Sequence, residues 1–234
     1  LKSFPRSKLC CGFIRNGIIL SQEIMLLGLG LDPATLIARL IVLATAFTVH
    51  EFAHAWTATQ FGDNTPRQYG RLTLNPLAHL DPLGSLMLIF AGFGWAKPVP
   101  VNAYALQKNS SAALMWVSLA GPLSNFLMAL LAAIPLRLGL ISAYGDGFVS
   151  QLFMEFVWIN LLLMLFNLIP LAPLDGDKII DYFFPPQWQR TWDTIRPYGP
   201  MILMLLFLSP MLGVNIIGGI LGPPMQFMFR LLVG

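Results

Sequence analysis

The chain has 234 residues, of which 56% are apolar and 11% charged, whereas an ordinary soluble domain carries about 45–50% apolar and 25% charged residues. That balance excludes a soluble globular protein of usual make-up and predicts an all-α polytopic membrane protein with about five to six transmembrane segments of about 20 apolar residues each. The formal net charge of +3 is scattered over short loops with no basic stripe interleaved with aromatics. It gives no footing for a nucleic-acid partner and serves instead as a guide to topology.

At the N-terminus, Lys2, Arg6, Lys8 and Arg15 precede an apolar run from Ile18 to Leu31 and resemble a signal anchor. Met25 is the first candidate start within this stretch. Cys10 and Cys11 are the only cysteines, and adjacent residues with two thiols between them predict neither a mutual disulfide nor a zinc knuckle. From Leu36 to Phe61 runs "LIARLIVLATAFTVHEFAHAWTATQF", bounded by "DPAT" and "GDNTP" as start and stop signals for a first membrane helix.

A polar loop follows, "GDNTPRQYGRLTLNPLAHLDP", and then an apolar stretch from Leu83 to Trp95 that is too short for a clean crossing. Its glycines and the prolines of "AKPVPVNAY" predict a re-entrant or β-hairpin element between the first and second core helices. Irregular backbone of that kind survives in lipid only against other protein or a watery cavity. Further spans are predicted over residues 112–141 and 148–174 and over about 199–221, the last bent at Pro210, with residues 225–233 as a short apolar tail. The chain thus divides into an N-terminal basic segment with its anchor (1–33), a core of three helices (34–198) and a C-terminal helix with its tail (199–234).

With the "HEFAH" end of the first span on the cytoplasmic side, Arg67, Arg71, Lys97, Lys108, Lys178, Arg190 and Arg196 all fall on that side. Only Arg137 lies at the edge of the loop between the second and third core helices, as the positive-inside rule requires.

Ionisable groups inside a span cost free energy, so they mark candidate functional sites. His50 and His54 are four residues apart, hence about 40° apart around a helix and one turn along it, so both imidazoles can face one metal ion. Glu51 flanks them. H-E-x-x-H is the zincin arrangement, with two imidazoles holding zinc while the glutamate takes a proton from the attacking water. A catalytic zinc wants a third protein ligand and one open position. The candidates are Cys10, Cys11, His79 and the carboxylates. Asp175 of "PLAPLDGDKI" is preferred because it ends a span on the same side as the histidines, with Gly176 beside it permitting an unusual backbone angle. Asp177 is the alternative, although Lys178 next to it suggests a solvated turn. Counted from Leu36, His50 lies about 21 Å into its helix, so the reaction centre is expected to be submerged and reached by water through a polar cavity.

With "HEFAH" on one span and "NLIPLAPLDG" on another, the chain resembles the site-2 protease family of intramembrane zinc metalloproteases. "GRLTLNPLAHLDPLGS", "GWAKPVPVN" and "AGPLSNF" resemble stretches of its short bacterial and archaeal members, and the likeness runs from about Thr35 to Tyr198. The resemblance implies one zinc ion per chain on His50, His54 and Asp175, with Glu51 as general base. It implies that Asn167 steadies the oxyanion or the substrate carbonyl, against the plainer reading of an interhelical hydrogen bond. Asn125 matches a position near the active centre, with packing through Gly121 as the equal alternative. His79 is expected to serve structure rather than to bind metal. Lys97, Pro98, Val99 and Pro100 are expected either to pair with an unwound substrate by strand addition or to seal the cavity. No stretch of these residues is long or polar enough for the PDZ or CBS domains of larger relatives.

The implied activity is an intramembrane zinc endopeptidase of a multi-pass protein, acting on transmembrane segments in a prokaryotic cell membrane. A metal transporter is a rival, but its ligands would line a path rather than gather at one depth. A zinc-braced, non-catalytic binder of membrane proteins is another, but a brace has no use for Glu51.

Overall fold

The computed structural model describes residues 33–81, 83–84, 96–143, 145 and 147–234. The signal-anchor reading of residues 18–31, the cysteines Cys10 and Cys11 and most of the hairpin expected over 83–95 lie outside the described residues. Those described are helical apart from turns and one irregular strip, and five of their helices are long and apolar enough to cross a membrane. This is the all-α, polytopic architecture expected.

Helix α1 (Pro33–Gln60) has 28 residues and is about 42 Å long. Ala38, Val42, Ala46, His50, His54 and Ala58 are all buried. They recur every four residues, as one inclined ridge of the helix surface. The ridge is made of small side chains except where the two imidazoles stand in it. Helix α1 ends where Gly62 turns to a φ of +85°, which glycine adopts without the Cβ penalty. Asp63, buried after that turn, accepts the backbone N–H of Thr65 at 2.9 Å and that of Asn102 at 2.6 Å. One carboxylate thereby ties the end of α1 to a loop 39 residues away.

The connection to the next span is built of short helical turns, α2 (Thr65–Gln68) and α3 (Pro76–His79), then the extended strip 96–102 and α4 (Ala103–Asn109). Asn75 and Asn102 cap α3 and α4 by accepting the N–H groups of Leu77 and Ala105, each at 3.1 Å. Leu80 and Ala96 form an antiparallel bridge, and Lys97 N–H donates to His79 O at 2.7 Å.

Helices α5 (Ala113–Arg137) and α6 (Phe148–Asn167) pack against α1 and each other as the three-helix core. Ala129, Ala132, Ala133 and Leu136 of α5 meet Val157, Leu161 and Met164 of α6. Small residues let the backbones approach, which drives association where lipid tails leave no hydrophobic gain. Ile37, Ile41, Leu127, Leu131 and Ile134 remain exposed, as lipid-facing side chains do. Within the spans, Arg39 of α1 and Glu155 of α6 form an ion pair at 3.0 Å.

Two span boundaries differ from expectation. The span read over residues 148–174 stops at Asn167. Residues 168–174 form tight turns, with Leu171 N–H on Ile169 O at 2.8 Å and Leu174 N–H on Leu171 O at 2.9 Å, and α7 (Asp175–Phe183) begins at Asp175. The span read over 199–221 is divided. Helices α8 (Pro186–Ile195) and α9 (Gly199–Leu208), joined by a 3-10 turn, form one helical run. A second 3-10 turn at Ser209–Leu212 and Gly213, with φ +80°, then end this run before the last helix. The supposed apolar tail belongs to α10 (Ile216–Val233), capped by Asn215 and continuous through Pro223 and Pro224. Neighbouring helices make internal prolines tolerable in membrane helices. The Arg137 guanidinium donates to Leu231 O at 2.6 Å, so α10 ends beside the end of α5. The rings of Phe207 and Phe166 lie 5.7 Å apart, which brings the end of α9 back to the end of α6.

Ala129, fully buried where α5 meets α6, has no room for a larger side chain. Ala129→Leu is predicted to destabilise the protein by about 1–3 kcal/mol, read as a lower thermal unfolding midpoint in detergent, whereas Leu131→Ala on the lipid face shifts it far less.

Candidate metal centre

The ridge of α1 carries His50 and His54 with their rings edge to face, centroids 4.6 Å apart. Their Nε2 atoms lie 3.0 Å from one another, and Asp175 Oδ2 lies 3.2 Å from each. All three residues are buried, and among the described residues they form the one such group with metal-ligand spacing. Ligand atoms around a tetrahedral zinc with bonds of about 2.0–2.1 Å stand about 3.3 Å apart. The observed triangle matches that spacing on all three sides.

The outer nitrogens show which way the imidazoles present their electron pairs. His54 Nδ1 lies 2.6 Å from the Val117 carbonyl oxygen, which can only accept, so Nδ1 carries the proton. His50 Nδ1 lies 2.6 Å from Asn125 Oδ1, and the Asn125 amide nitrogen is directed elsewhere, to Asn160 Oδ1 at 2.9 Å. In neutral rings both Nε2 atoms are then unprotonated acceptors, and they face each other and a carboxylate. Three electron-pair donors converge with no proton between the rings, an arrangement that a cation stabilises. Zinc-bound histidines commonly donate their other ring N–H to a carbonyl in this way. The donor set of two imidazoles and one carboxylate, open on its cavity side, fits a catalytic zinc.

Each donor is held by its local sequence. Gly121 of α5 passes directly over the imidazoles, where a Cβ would strike His54 Nε2 and lie 2.6 Å from His50 Cε1. The small residue read as helix packing thus packs against the rings of His50 and His54 themselves. Gly176 was expected to supply an unusual backbone angle. It adopts none, and its requirement is close approach, because a Cβ there would collide with the carbonyl of Ile169. Asp177 does not compete for the metal position. Its Oδ1 accepts Trp192 Nε1 at 2.8 Å and Arg196 Nε at 3.0 Å, and Arg196 also pairs with Asp181 at 3.2 Å and Asp193 at 3.1 Å. This latch fastens α8 to the helix that carries Asp175.

A cavity of about 140 Å³ opens on the triangle. It is lined by His50, Glu51, His54 and Asp175, and also by Pro98, Val99, Asn167, Pro173 and Lys178. One Glu51 oxygen accepts the Val99 N–H at 3.1 Å. Asn167 donates one amide proton to Leu163 O at 2.9 Å, within its own helix. Lys178 borders the cavity rather than a solvated turn. Lys97 and Pro100 do not line it, and Lys97 borders a separate cleft with Arg71 and Asp81. His79 is fully buried away from the triangle, its Nε2 on Thr73 O at 2.8 Å. Asn125 reaches His50 rather than the cavity.

Sequence reasoning missed the Val117 carbonyl, the Asp177 latch and Asn160. Only Asn160 had a signal of its own, being a polar side chain in an otherwise apolar span.

No family model and no solved structure matches the chain. Among curated proteins, YwhC of Bacillus subtilis, provisionally named a zinc metalloprotease, is 41% identical over 186 residues, covering 76% of this chain and 84% of its own. Rip2 of Mycolicibacterium smegmatis, provisionally named in the same terms, is 36% identical over 176 residues, covering 70% of this chain and 64% of its own. Rip2 of Mycobacterium tuberculosis is 32% identical over 170 residues with the same coverage, 70% and 64%.

Three substitutions test the geometry. Gly121→Ala is predicted to lower zinc affinity about 10- to 100-fold by displacing the imidazoles, measured by competition with a chelator in detergent. Asp175→Ala is predicted to lose stoichiometric zinc, whereas Asp177→Asn retains it while lowering the thermal midpoint.

Proposed function

The chain belongs to the site-2 protease family of zinc metalloproteases, and from that premise we propose that it is an intramembrane endopeptidase that cleaves transmembrane segments of membrane proteins, with Glu51 as general base. The observation that carries the reading is the triangle of His50, His54 and Asp175, buried among helices of membrane length, with Glu51 lining the same cavity. The chain is a multi-pass membrane protein and a zinc metalloendopeptidase. Its substrate and the place of its cut are the proposal.

His50, His54 and Asp175 would hold the zinc ion, which would supply Lewis acidity toward a carbonyl and a water. The protein's part is to place the other groups. One Glu51 oxygen is held by the Val99 N–H, which orients the carboxylate and leaves its second oxygen to take a proton from the attacking water. Glu51 then returns a proton to the leaving amine. Asn167 has one amide proton engaged with Leu163 O. The other is available to the negative charge that develops on the scissile carbonyl oxygen, a contribution of about 3 kcal/mol for such a donor.

A peptide bond inside a helix is already hydrogen-bonded and shielded, so the substrate must unwind before attack. The strip 97–100 suits an unwound chain in one direction only. Pro98 and Pro100 have no N–H, and those of Lys97 and Val99 are engaged with His79 O and Glu51. Pairing with substrate would run through the strip's carbonyl oxygens.

The site end of the core is assigned to the cytoplasm. Arg67, Arg71, Lys97, Lys108, Lys178, Arg190 and Arg196 belong to segments at that end, and Arg137 and Arg230 to the opposite end, where α5 and α10 meet.

Glu51→Gln is predicted to keep one zinc per chain and to lose about 10²- to 10⁴-fold in turnover, followed by mass spectrometry of a model transmembrane peptide in proteoliposomes. Cleavage by this variant at the wild-type rate removes Glu51 from the mechanism. Zinc flux across the same vesicles without peptide cleavage favours a transporter.

A further inference from the structure

Asn160 is fully buried in α6, seven residues before Asn167 and so on nearly the same face of the helix. Its Nδ2 donates to Phe156 O at 2.9 Å, one turn back in its own helix. Its Oδ1 accepts the Asn125 amide N–H at 2.9 Å, and Asn125 Oδ1 in turn faces His50 Nδ1 at 2.6 Å. The other acceptor near the Asn125 amide is Ala46 O at 3.4 Å, at the long edge of bonding.

A primary amide has two nearly isosteric ends. Rotated by half a turn, Asn125 would set its NH₂ against the His50 N–H, donor against donor, and the imidazole would have to move its proton to Nε2. That proton would then occupy the electron pair that points at the metal position. The acceptor that decides between these two states is Asn160 Oδ1, since it is the close partner that only the observed orientation satisfies.

We propose that Asn160 is a positioning residue of the metal centre, whose carbonyl oxygen locks the Asn125 amide and thereby keeps His50 as the Nδ1–H tautomer with Nε2 free for zinc. The relay runs through three helices, α6 to α5 to α1, and fixes the rotation of α6 that turns Asn167 toward the cavity. The inference rests on the reading of His50 as a zinc ligand. A plain packing role for Asn160, as a polar contact holding spans together, would leave the imidazole proton where it is.

The chain has three histidines, so a ¹⁵N-histidine spectrum of the metal-free, full-length protein in lipid reads the tautomers directly. The wild type is expected to show two Nδ1–H rings, His50 and His54, and one Nε2–H ring, His79, whose Nε2 donates to Thr73 O. Asn160→Leu is expected to move one ring out of the Nδ1–H state and to weaken zinc affinity about 10- to 100-fold. Asn160→Asp, which keeps the acceptor, restores both. In an Asn125→Leu background, Asn160→Leu adds no more than about a twofold loss, because the two residues act as one unit. Should Asn160→Leu fail to fold, Asn160→Gln carries the test, since its longer side chain moves the carbonyl out of register. A wild-type tautomer pattern in the folded Leu or Gln variant, or an equal loss of zinc with and without Asn125, overturns the proposal. A wild type that binds no zinc overturns the metal reading of His50 instead, so the two failures are distinguishable.

Discussion

Three electron-pair donors pointed at one spot inside a low-dielectric bundle would repel unless something positive sat among them. The Nε2 atoms of His50 and His54 stand 3.0 Å apart, with Asp175 Oδ2 at 3.2 Å from each, and neither ring can relieve the crowding by turning over. His54 is fixed by the Val117 carbonyl and His50 by Asn125. Much of the core serves this constraint. The α1 ridge brings the rings to the surface where α5 crosses, Gly121 leaves room for them, and the turns of 168–174 fold back over Gly176 so that the carboxylate arrives from a third direction. Buried electron pairs of this kind are costly without a partner.

What could be read in the sequence divides along physical lines. The histidine pair was legible because both ligands sit on one helix, where spacing alone fixes direction. Asp175 is preferred to Asp177 in the sequence for its place at the end of a span, but what engages Asp177 comes from elsewhere in the chain. Trp192 and Arg196 hold Asp177 from residues 15 and 19 further on, contacts that no local pattern announces. Gly176 was rightly singled out for the wrong cause, since a glycine needed for close approach looks the same in sequence as one needed for a positive φ. Prolines misled in both directions. Those of "NLIPLAP" end α6 earlier than hydropathy suggests, while Pro223 and Pro224 leave α10 unbroken. Asn125 was weighed between packing and the active centre, and it does both, joining α5 to α6 while holding a ring of α1.

The same polar economy runs through the rest of the bundle. Within the core spans, Arg39 meets Glu155 across two helices and Arg137 donates to Leu231 O of a third. Asp63 and Asp177 repeat the device outside the spans, each a buried carboxylate gathering donors from distant segments. The extended strip is part of this scheme too. Its Val99 N–H orients Glu51, so the element expected to receive substrate also positions that carboxylate, and a displacement of one is felt by the other.

Asp175 lies 121 positions beyond His54 in the chain, and that separation has a consequence for how the molecule comes into being. During synthesis the imidazole pair enters the bilayer while the carboxylate has yet to be translated. A half-made chain therefore carries an incomplete centre that cannot hold its ion in working form. The three donors come together only once the third core helix has been threaded and the turns of 168–174 have brought Asp175 back to the histidines.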